Sequence, residues 1–229
     1  MEKIEKIKKH FEEEAREFDE IILKLIPYYR EMISALLLSI PFSRDKSIKV
    51  IDLGCGTGTI AFEIRKLFPN AYITCLDISE NMISMAKAKL GEEDKNIYIV
   101  ANFYDFYFED KYDVIISSLA LHHLITDEDK KNFYIKIYNA LKEGGVFYNA
   151  DVVLGSNAYI QEVYMKKWKE FMRKNVSLSE IENKWIPKYK EEDSPTTLMN
   201  HLKWLEDIGF RDVDVIWKYY NYAVYGGYK

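Results

Sequence analysis

The sequence predicts a doubly wound α/β fold, because short apolar runs alternate with helical stretches, a glycine-rich turn follows the first run, and an aspartate ends the second. The apolar runs are 48–53, 71–76, 97–100, 113–117 and 146–152. Helical patterns follow Thr59 and cover 79–90 and 127–141, the last leading to Gly144-Gly145. Strands separated by helices pair in parallel through right-handed crossovers. A further helix is expected over 197–207 with Gly209 as its stop, and runs 213–219 and 222–225 lie close enough for an antiparallel hairpin at the sheet edge.

Two segments stand outside this rhythm. Ile4, Ile7, Phe11, Ala15, Phe18, Ile22 and Leu25 recur at spacings of three and four, which predicts one helix carrying a continuous apolar stripe up to Pro27. A second helix is expected over 29–40, before Pro41, Ser43 and Asp45. Residues 155–195 replace what would otherwise be a short connection with polar and aromatic helical sequence. The expected organisation is one domain over 1–229, with an N-terminal helical cover at 1–45 and an inserted helical cover at 155–195.

A chain of 229 residues can bury one sizeable core, and its longest apolar stretches, such as 35–40, are too short to span a bilayer. The N-terminus has no apolar signal-peptide core, so the expected location is cytoplasmic. A formal charge of -5 disfavours nucleic acid as a partner without excluding it. Cys55 and Cys75, the two cysteines, belong to no closely spaced Cys/His cluster, so no metal is expected and both read as small buried residues.

The strongest motif is Val50-Ile51-Asp52-Leu53-Gly54-Cys55-Gly56-Thr57-Gly58, a strand running into three alternating glycines. Without Cβ atoms the loop lets a ligand approach its backbone. A dinucleotide loop would carry its third glycine three residues after the second, at the place of Thr59, and no Gly-Lys-Ser/Thr phosphate loop is present. This spacing favours S-adenosylmethionine over a dinucleotide. Asp77 ends Ile73-Thr74-Cys75-Leu76 at the carboxyl edge of the sheet, where a carboxylate can accept hydrogen bonds from ribose hydroxyls. A tight turn without ligand and a helix N-terminal charge are the plainer alternatives for loop and aspartate.

With Leu76-Asp77-Ile78-Ser79-Glu80-Asn81-Met82, Tyr112-Asp113-Val114-Ile115-Ile116-Ser117 and Leu141-Lys142-Glu143-Gly144-Gly145 following in order, the chain resembles the class I S-adenosylmethionine-dependent methyltransferases over nearly its whole length. The resemblance implies a Rossmann-like seven-stranded sheet whose C-terminal strand is antiparallel, and S-adenosylmethionine as cofactor. It places the cofactor against Asp52, Gly54, Gly56, Gly58, Asp77, Ile78, Met82, Ser118 and Leu119, with Asn102 and Phe103 at the adenine. The family more often has Asp where Asn102 stands. Phe18-Asp19, Ile26-Pro27-Tyr28-Tyr29, Trp217 and 219–224 look like a small-molecule-type subgroup, in which Tyr29 reaches over the cofactor or packs the N-terminal helices. The same flanks resemble enzymes that move a carboxymethyl group from a carboxylated cofactor to transfer RNA. That donor requires a cation, for which Arg30 and Arg173 are the candidates.

An oxygen or nitrogen acceptor must lose a proton on methylation, and a base contributes roughly 10²–10⁴-fold. His122 and His123 follow the fourth strand, and adjacent residues are not expected to enter one pocket together. His123 matches the family motif better and is the expected base, with loop fixation as its alternative. Asp151 and Asn149, at the end of the fifth strand, are further candidates to touch the acceptor, and Asp151 has helix capping as its alternative. Tyr159, Tyr164, Trp168 and Trp185 of the inserted segment would enclose it or pack the core. The expected function is methyl transfer to a small-molecule acceptor by a chain that is a monomer or homodimer. A cofactor-binding regulatory module and a nicotinamide enzyme are the alternatives from other classes.

Overall fold

A computed structural model describes residues 2–229; Met1, the first residue of the expected N-terminal segment, lies outside the described residues. Three helices come first: α1 (Glu2–Glu14), α2 (Phe18–Leu25) and α3 (Tyr29–Leu38). The alternating part contains β1 (Lys49–Leu53), α4 (Thr59–Leu67), β2 (Tyr72–Asp77), α5 (Glu80–Leu90), β3 (Asn96–Val100) and β4 (Tyr112–Ser118). After a 3₁₀ turn at Leu121–His123 come α6 (Asp127–Ala140) and β5 (Leu141–Val152). The inserted segment holds α7 (Ala158–Met172), a short α8 (Leu178–Glu180), a π-helical stretch at Ile181–Trp185 and α9 (Ile186–Glu192). The chain ends with α10 (Leu198–Ile208), β6 (Arg211–Tyr219) and β7 (Tyr222–Tyr228).

The strands form one seven-stranded sheet in the order β3-β2-β1-β4-β5-β7-β6. Pairing is parallel from β3 through β5, and β7 runs antiparallel to both β5 and β6. Six strands therefore share one direction and the C-terminal strand opposes them, which is the predicted fold class. Successive residues alternate faces. Val50, Ile73, Val114 and Ile116 pack under α3, α4, α5 and α7, whereas Ile51, Ile115 and Phe147 pack on the opposite face under α6 and α10. Both faces are thus covered, and the strands read as continuous apolar runs for that reason.

The expected single N-terminal helix is two. Helix α1 stops at Glu14 and α2 restarts at Phe18, although the apolar spacing continues through the break. The bend lets each half dock on a different part of the sheet's carboxyl edge. Glu12 accepts from the backbone N–H groups of Glu80 and Asn81 at 2.7 and 3.0 Å, placing an anion on the N-terminus of α5. At the second residue of α2, Asp19 accepts from Thr57 Oγ1 at 2.5 Å and from Lys89 Nζ at 2.8 Å, which ties α2 to the glycine loop. Helix α2 ends before Pro27, and α3 starts after Tyr28 at φ 54°.

Helix α1 is also fastened to α9. His10 Nδ1 lies 2.5 Å from Glu192 and Nε2 lies 2.8 Å from Glu14, while Lys188 and Lys184 reach Glu14 at 2.8 and 3.6 Å. Burial opposes charge on His10, but hydrogen bonds and charge from Glu14 and Glu192 outweigh it and hold its pKa above 6.5. Burial likewise opposes charge on Glu14, yet His10 and Lys188 bring it down from 4.5 to about 2. The His10 contribution is complete below 6.5 and is lost as pH rises through the raised folded value; the Glu14 contribution is complete above 4.5 and is lost toward 2. The two overlap between 4.5 and 6.5. The melting deficit of His10→Ala is therefore expected to be greatest in that window, on the order of 5 °C, and to shrink at alkaline pH. Thermal unfolding of both proteins across pH checks this, and a pH-independent deficit would reduce His10 to a packing role.

Candidate active site

The sheet reverses its winding between β1 and β4, and the loops leaving those strands diverge there. A cavity opens at this point. It is lined by Gly54, Cys55, Gly56 and Thr57 after β1, by Asp77, Ile78 and Met82 after β2, by Asn102 and Phe103 after β3, and by Ser118, Leu119, Ala120 and His123 after β4. Tyr29 of α3 borders one side, and Ile4, Ile7, Phe11, Phe18 and Ile22 of α1 and α2 form an apolar roof.

Gly54 has φ +73°, and a Cβ there would lie 2.3 Å from the Cβ of Ala120, so only glycine permits the two loops to meet. Gly56 has φ +53°, and the ring of Phe18 at 3.6 Å is the neighbour its Cβ would face across the cavity. Gly58 is outside the lining and sits against Ala86 of α5. Asp52 is also outside it. That carboxylate is wholly buried behind the loop, and neither oxygen has a partner in good hydrogen-bond geometry among the described residues. Burial followed by the nearby charge of Asp77 raises its pKa to about 7, against the lowering effect of the Ala61 backbone N–H.

Asp77 accepts from the backbone N–H of Gly56 at 2.8 Å and of Ser79 at 3.0 Å. It therefore braces the glycine loop and presents a carboxylate at the cavity. Burial raises its pKa to about 6, against the lowering effect of those backbone donors. The Asn102 amide is engaged within its own turn, donating to Asp105 at 2.6 Å and accepting from the N–H groups of Tyr104 and Asp105 at 2.6 and 3.2 Å. Tyr29 is half-buried near Asp52 and Asp19, and desolvation of its hydroxyl chiefly raises its phenol pKa.

A second cavity adjoins the first. Phe11, Phe18, Ile22, Leu119 and His123 border both. Trp168, Trp185, Tyr189, Tyr222, His122 and Asp193 belong to the second alone. Of the four aromatics expected from the inserted segment, Trp168 and Trp185 reach this space; Tyr159 is exposed, and Tyr164 meets Lys218 and Tyr220 on the outside.

The histidine pair departs from expectation. The tight 3₁₀ turn brings both rings to one place, their centroids 4.1 Å apart. His122 Nδ1 lies 2.5 Å from Asp151 and its Nε2 3.5 Å from Asp193. Burial disfavours the imidazolium, but the charges of Asp193 and Asp151 prevail and raise its pKa to about 10. Burial and the adjacent His122 charge push His123 down to about 3, which leaves it neutral and a weak proton acceptor at pH 7. Asp151 and Asn149 do not border either cavity; both are buried, joined to each other at 3.2 Å, and Asn149 donates to Tyr225 at 2.9 Å. They are held there because β5 is an interior strand covered on both faces; the Asp151 carboxylate and the Asn149 amide N–H groups meet protein partners, while Asn149 Oδ1 has none among the described residues.

His122 and Asp193 were missed from the sequence as a pair. Asp193 stands in a charged run, Lys188 to Asp193, with no local pattern of its own. Its position comes from backbone bonds: Ser194 N–H donates to the His122 carbonyl at 2.9 Å, and Leu154 N–H donates to the Thr196 carbonyl at 2.8 Å.

Residues 50–145 match the family described as a methyltransferase domain. The carboxy-S-adenosyl-L-methionine synthase of Nautilia profundicola is 24% identical, over 99% of this chain and 96% of its own. Malonyl-[acyl-carrier protein] O-methyltransferase 1 of Ilyobacter polytropus is 30% identical, over 68% of this chain and 52% of its own. Among solved structures, a DhpI-SAM-HEP complex has TM-score 0.66 at 18% identity, covering 97% of this chain and 96% of that one. Human N-acetylserotonin methyltransferase with SAM has TM-score 0.58 at 20% identity, covering 86% and 51%. Both likenesses are of fold.

Two variants test the first cavity as the S-adenosylmethionine site. Asp77→Ala is expected to weaken cofactor binding about 10- to 100-fold, the equivalent of roughly 1.5–3 kcal/mol for hydrogen bonds to a charged group. Gly56→Val is expected to abolish measurable binding while the protein remains folded, since the side chain fills the cavity side of the loop. Calorimetry reads both, and parent-like affinity in either folded variant would remove that residue from the site.

Proposed function

Because the chain belongs to the class I S-adenosylmethionine-dependent methyltransferases, we propose that it methylates a small-molecule acceptor held in the aromatic cavity beside the cofactor. The observation that carries this reading is the shared wall: Leu119 and His123 border both cavities, and Phe11, Phe18 and Ile22 roof both. An acceptor in the second cavity is thereby next to the cofactor and shielded by helices, an enclosure suited to a small molecule. The net charge of -5 offers no general attraction for nucleic acid.

When bound, S-adenosylmethionine supplies an electrophilic methyl group on a sulfonium. The residues of this chain hold and align. In this reading Asp77 takes the ribose hydroxyls, Gly54 and Gly56 lie against the methionine part, and Phe103 with Ile78 and Met82 walls the adenine. Tyr29, Ser118 and Leu119 close the sides, and Asn102 offers its backbone because its amide is engaged. Asp52 and Gly58 support the loop from behind. Displacement at a methyl group depends chiefly on alignment and exclusion of water, which the apolar roof provides. His123 orients the acceptor as a neutral hydrogen-bonding group in place of the base role, since burial and His122 make its imidazolium unfavourable.

The near full-length likeness to carboxy-S-adenosyl-L-methionine synthases favours a second reading, formation or use of a carboxylated cofactor. A carboxylate there would call for a cation. Arg30 borders an outer groove with Ile33 and Glu63, and Arg173 follows α7; neither lines either cavity. Lys188 borders the second cavity but is paired with Glu14 at 2.8 Å. Methyl transfer is therefore the reading we adopt.

Incubation with methyl-labelled S-adenosylmethionine and fractionated metabolites, followed by mass spectrometry, tests it. Labelled small molecule together with S-adenosylhomocysteine is expected. A carboxylated nucleoside would favour the second reading, label in added transfer RNA would move the acceptor class, and retention of cofactor without turnover across broad acceptor panels would favour a regulatory module.

A further inference from the structure

We propose that His122, His123 and Asp193 form a divalent transition-metal site, of zinc type, opening into the second cavity. The inference rests on the acceptor reading above for its purpose, but its geometry stands without it. His122 Nε2 is 3.5 Å and His123 Nδ1 is 3.8 Å from the same oxygen of Asp193, and the three ligand atoms lie within 4.8 Å of one another. Tetrahedral ligands at zinc bond lengths are about 3.4 Å apart, so the two histidine–Asp193 pairs need to close by about 0.1–0.4 Å and no pair by more than about 1.4 Å around an ion. Two imidazoles and one carboxylate are a donor set that suits zinc and leaves a fourth position free, the ion replacing and releasing to solvent the proton that His122 Nε2 otherwise carries toward Asp193.

The surroundings are those of a metal-ligating histidine. A ligand His commonly gives its other ring nitrogen to a carboxylate, which fixes the tautomer and the ring plane. Here Asp151 does so at 2.5 Å from His122 Nδ1. Asp151 is itself held by the backbone N–H of His122 at 3.1 Å, that of Val152 at 2.8 Å and the Asn149 amide at 3.2 Å. Such a carboxylate has no freedom to rotate toward the cavity, so its effect is to aim His122 Nε2 at Asp193. The ligands come from two distant segments, the turn after β4 and the end of α9, which the Ser194–His122 backbone bond holds together. All three residues line the second cavity, and His123 also borders the first, so the free coordination position faces the space assigned to the acceptor. A ligand with an oxygen donor, a hydroxyl or carboxylate, fits that position. A hydroxyl bound there would have its pKa lowered and release its proton to solvent. The resulting oxygen anion, like a carboxylate, would form the new O–CH3 bond as the S–CH3 bond breaks and S-adenosylhomocysteine leaves.

The other charged groups bordering the cavity, His10, Glu14, Lys188 and Glu192, are already paired. His10 bridges Glu14 and Glu192, and Lys188 meets Glu14. They make a neighbouring cluster to which a metal would have to be distinguished by mutation.

The full chain, stripped with chelator and dialysed, is titrated with Co²⁺ and then with Zn²⁺ in competition. One equivalent of Co²⁺ with the strong visible absorption of a four-coordinate ion is expected, displaced by Zn²⁺. Asp193→Asn and His122→Gln should remove the spectrum, and Asp151→Asn should weaken binding about 10- to 100-fold as an outer partner of the ligand. Glu191→Gln, in an exposed pair with Lys6, should leave it unchanged. Circular dichroism establishes that each variant is folded. Absence of stoichiometric binding by the folded parent would overturn the site, as would binding that survives Asp193→Asn and is lost in His10→Gln. S-adenosylmethionine affinity of the chelated parent is measured alongside. Its retention without metal binding would sink the metal site alone, whereas metal binding without cofactor binding would sink the methyl-transfer reading alone.

Discussion

The close approach of Gly54 to Ala120 is the constraint on which the site depends. Strands β1 and β4 are neighbours in the sheet, but their chains leave in different directions, and the gap between those exits is the ligand cavity. A side chain at position 54 would wedge the exits apart. Bringing them together puts the glycine loop and the Leu119–His123 segment on opposite walls of one space. Asp77 then fixes the loop from the β2 side through the Gly56 N–H, so three adjacent strands contribute to a single rigid rim. Rigid strand ends of this kind hold a ligand more precisely than free loops do.

The parts of this arrangement encoded locally were legible in the sequence. A glycine loop after an apolar strand and an acidic end on the next strand are both short-range signals, and the sheet edge makes them converge. The helix stripe from Ile4 to Leu25 was legible only as periodicity: its spacing survives a break at 15–17 because both helices bury the same side, and nothing in the spacing records the change of direction. Asp52 and Gly58 fall within the motif yet not in the cavity: Asp52 lies inside β1, before the chain turns out at the sheet edge, and Gly58 lies past the loop, packed against Ala86 of α5. The role of His122 was not legible at all. It depends on Asp151 at a strand end and Asp193 about 70 residues later, a coincidence produced by tertiary packing. The expectation that neighbouring histidines diverge assumed ordinary helical geometry, and the tight turn overrides it.

The roof presents a physical problem of its own. Helices α1 and α2 cover an apolar cavity with Ile4, Ile7, Phe11, Phe18 and Ile22, while their polar residues make the attachments at the rim. Glu12 binds α5, Asp19 binds the glycine loop and Lys89, and His10 with Glu14 binds α9. Polar attachments can exchange with water at a modest net cost, whereas burying the same area by interlocked apolar side chains would resist separation. A roof held at its rim by polar contacts and apolar only on its underside suits a cavity that must admit a ligand and then exclude water.

The two cavities also divide the chemistry by polarity. The first, read as the cofactor site, offers backbone and the Asp77 carboxylate to a molecule rich in hydroxyl and amine groups. The second offers Trp168, Trp185, Tyr189 and Tyr222, with the histidine pair and Asp193 as one polar group and the paired His10, Glu14, Glu192 and Lys188 as another. Flat aromatic walls select for an apolar or planar body, and polar groups at the edge orient it. Because His123 lies on the wall shared by the two cavities, the acceptor proposed above would turn a polar end held there toward the cofactor side. The inserted segment thus bears on which molecule fits, while the strand ends govern how its reacting atom is presented.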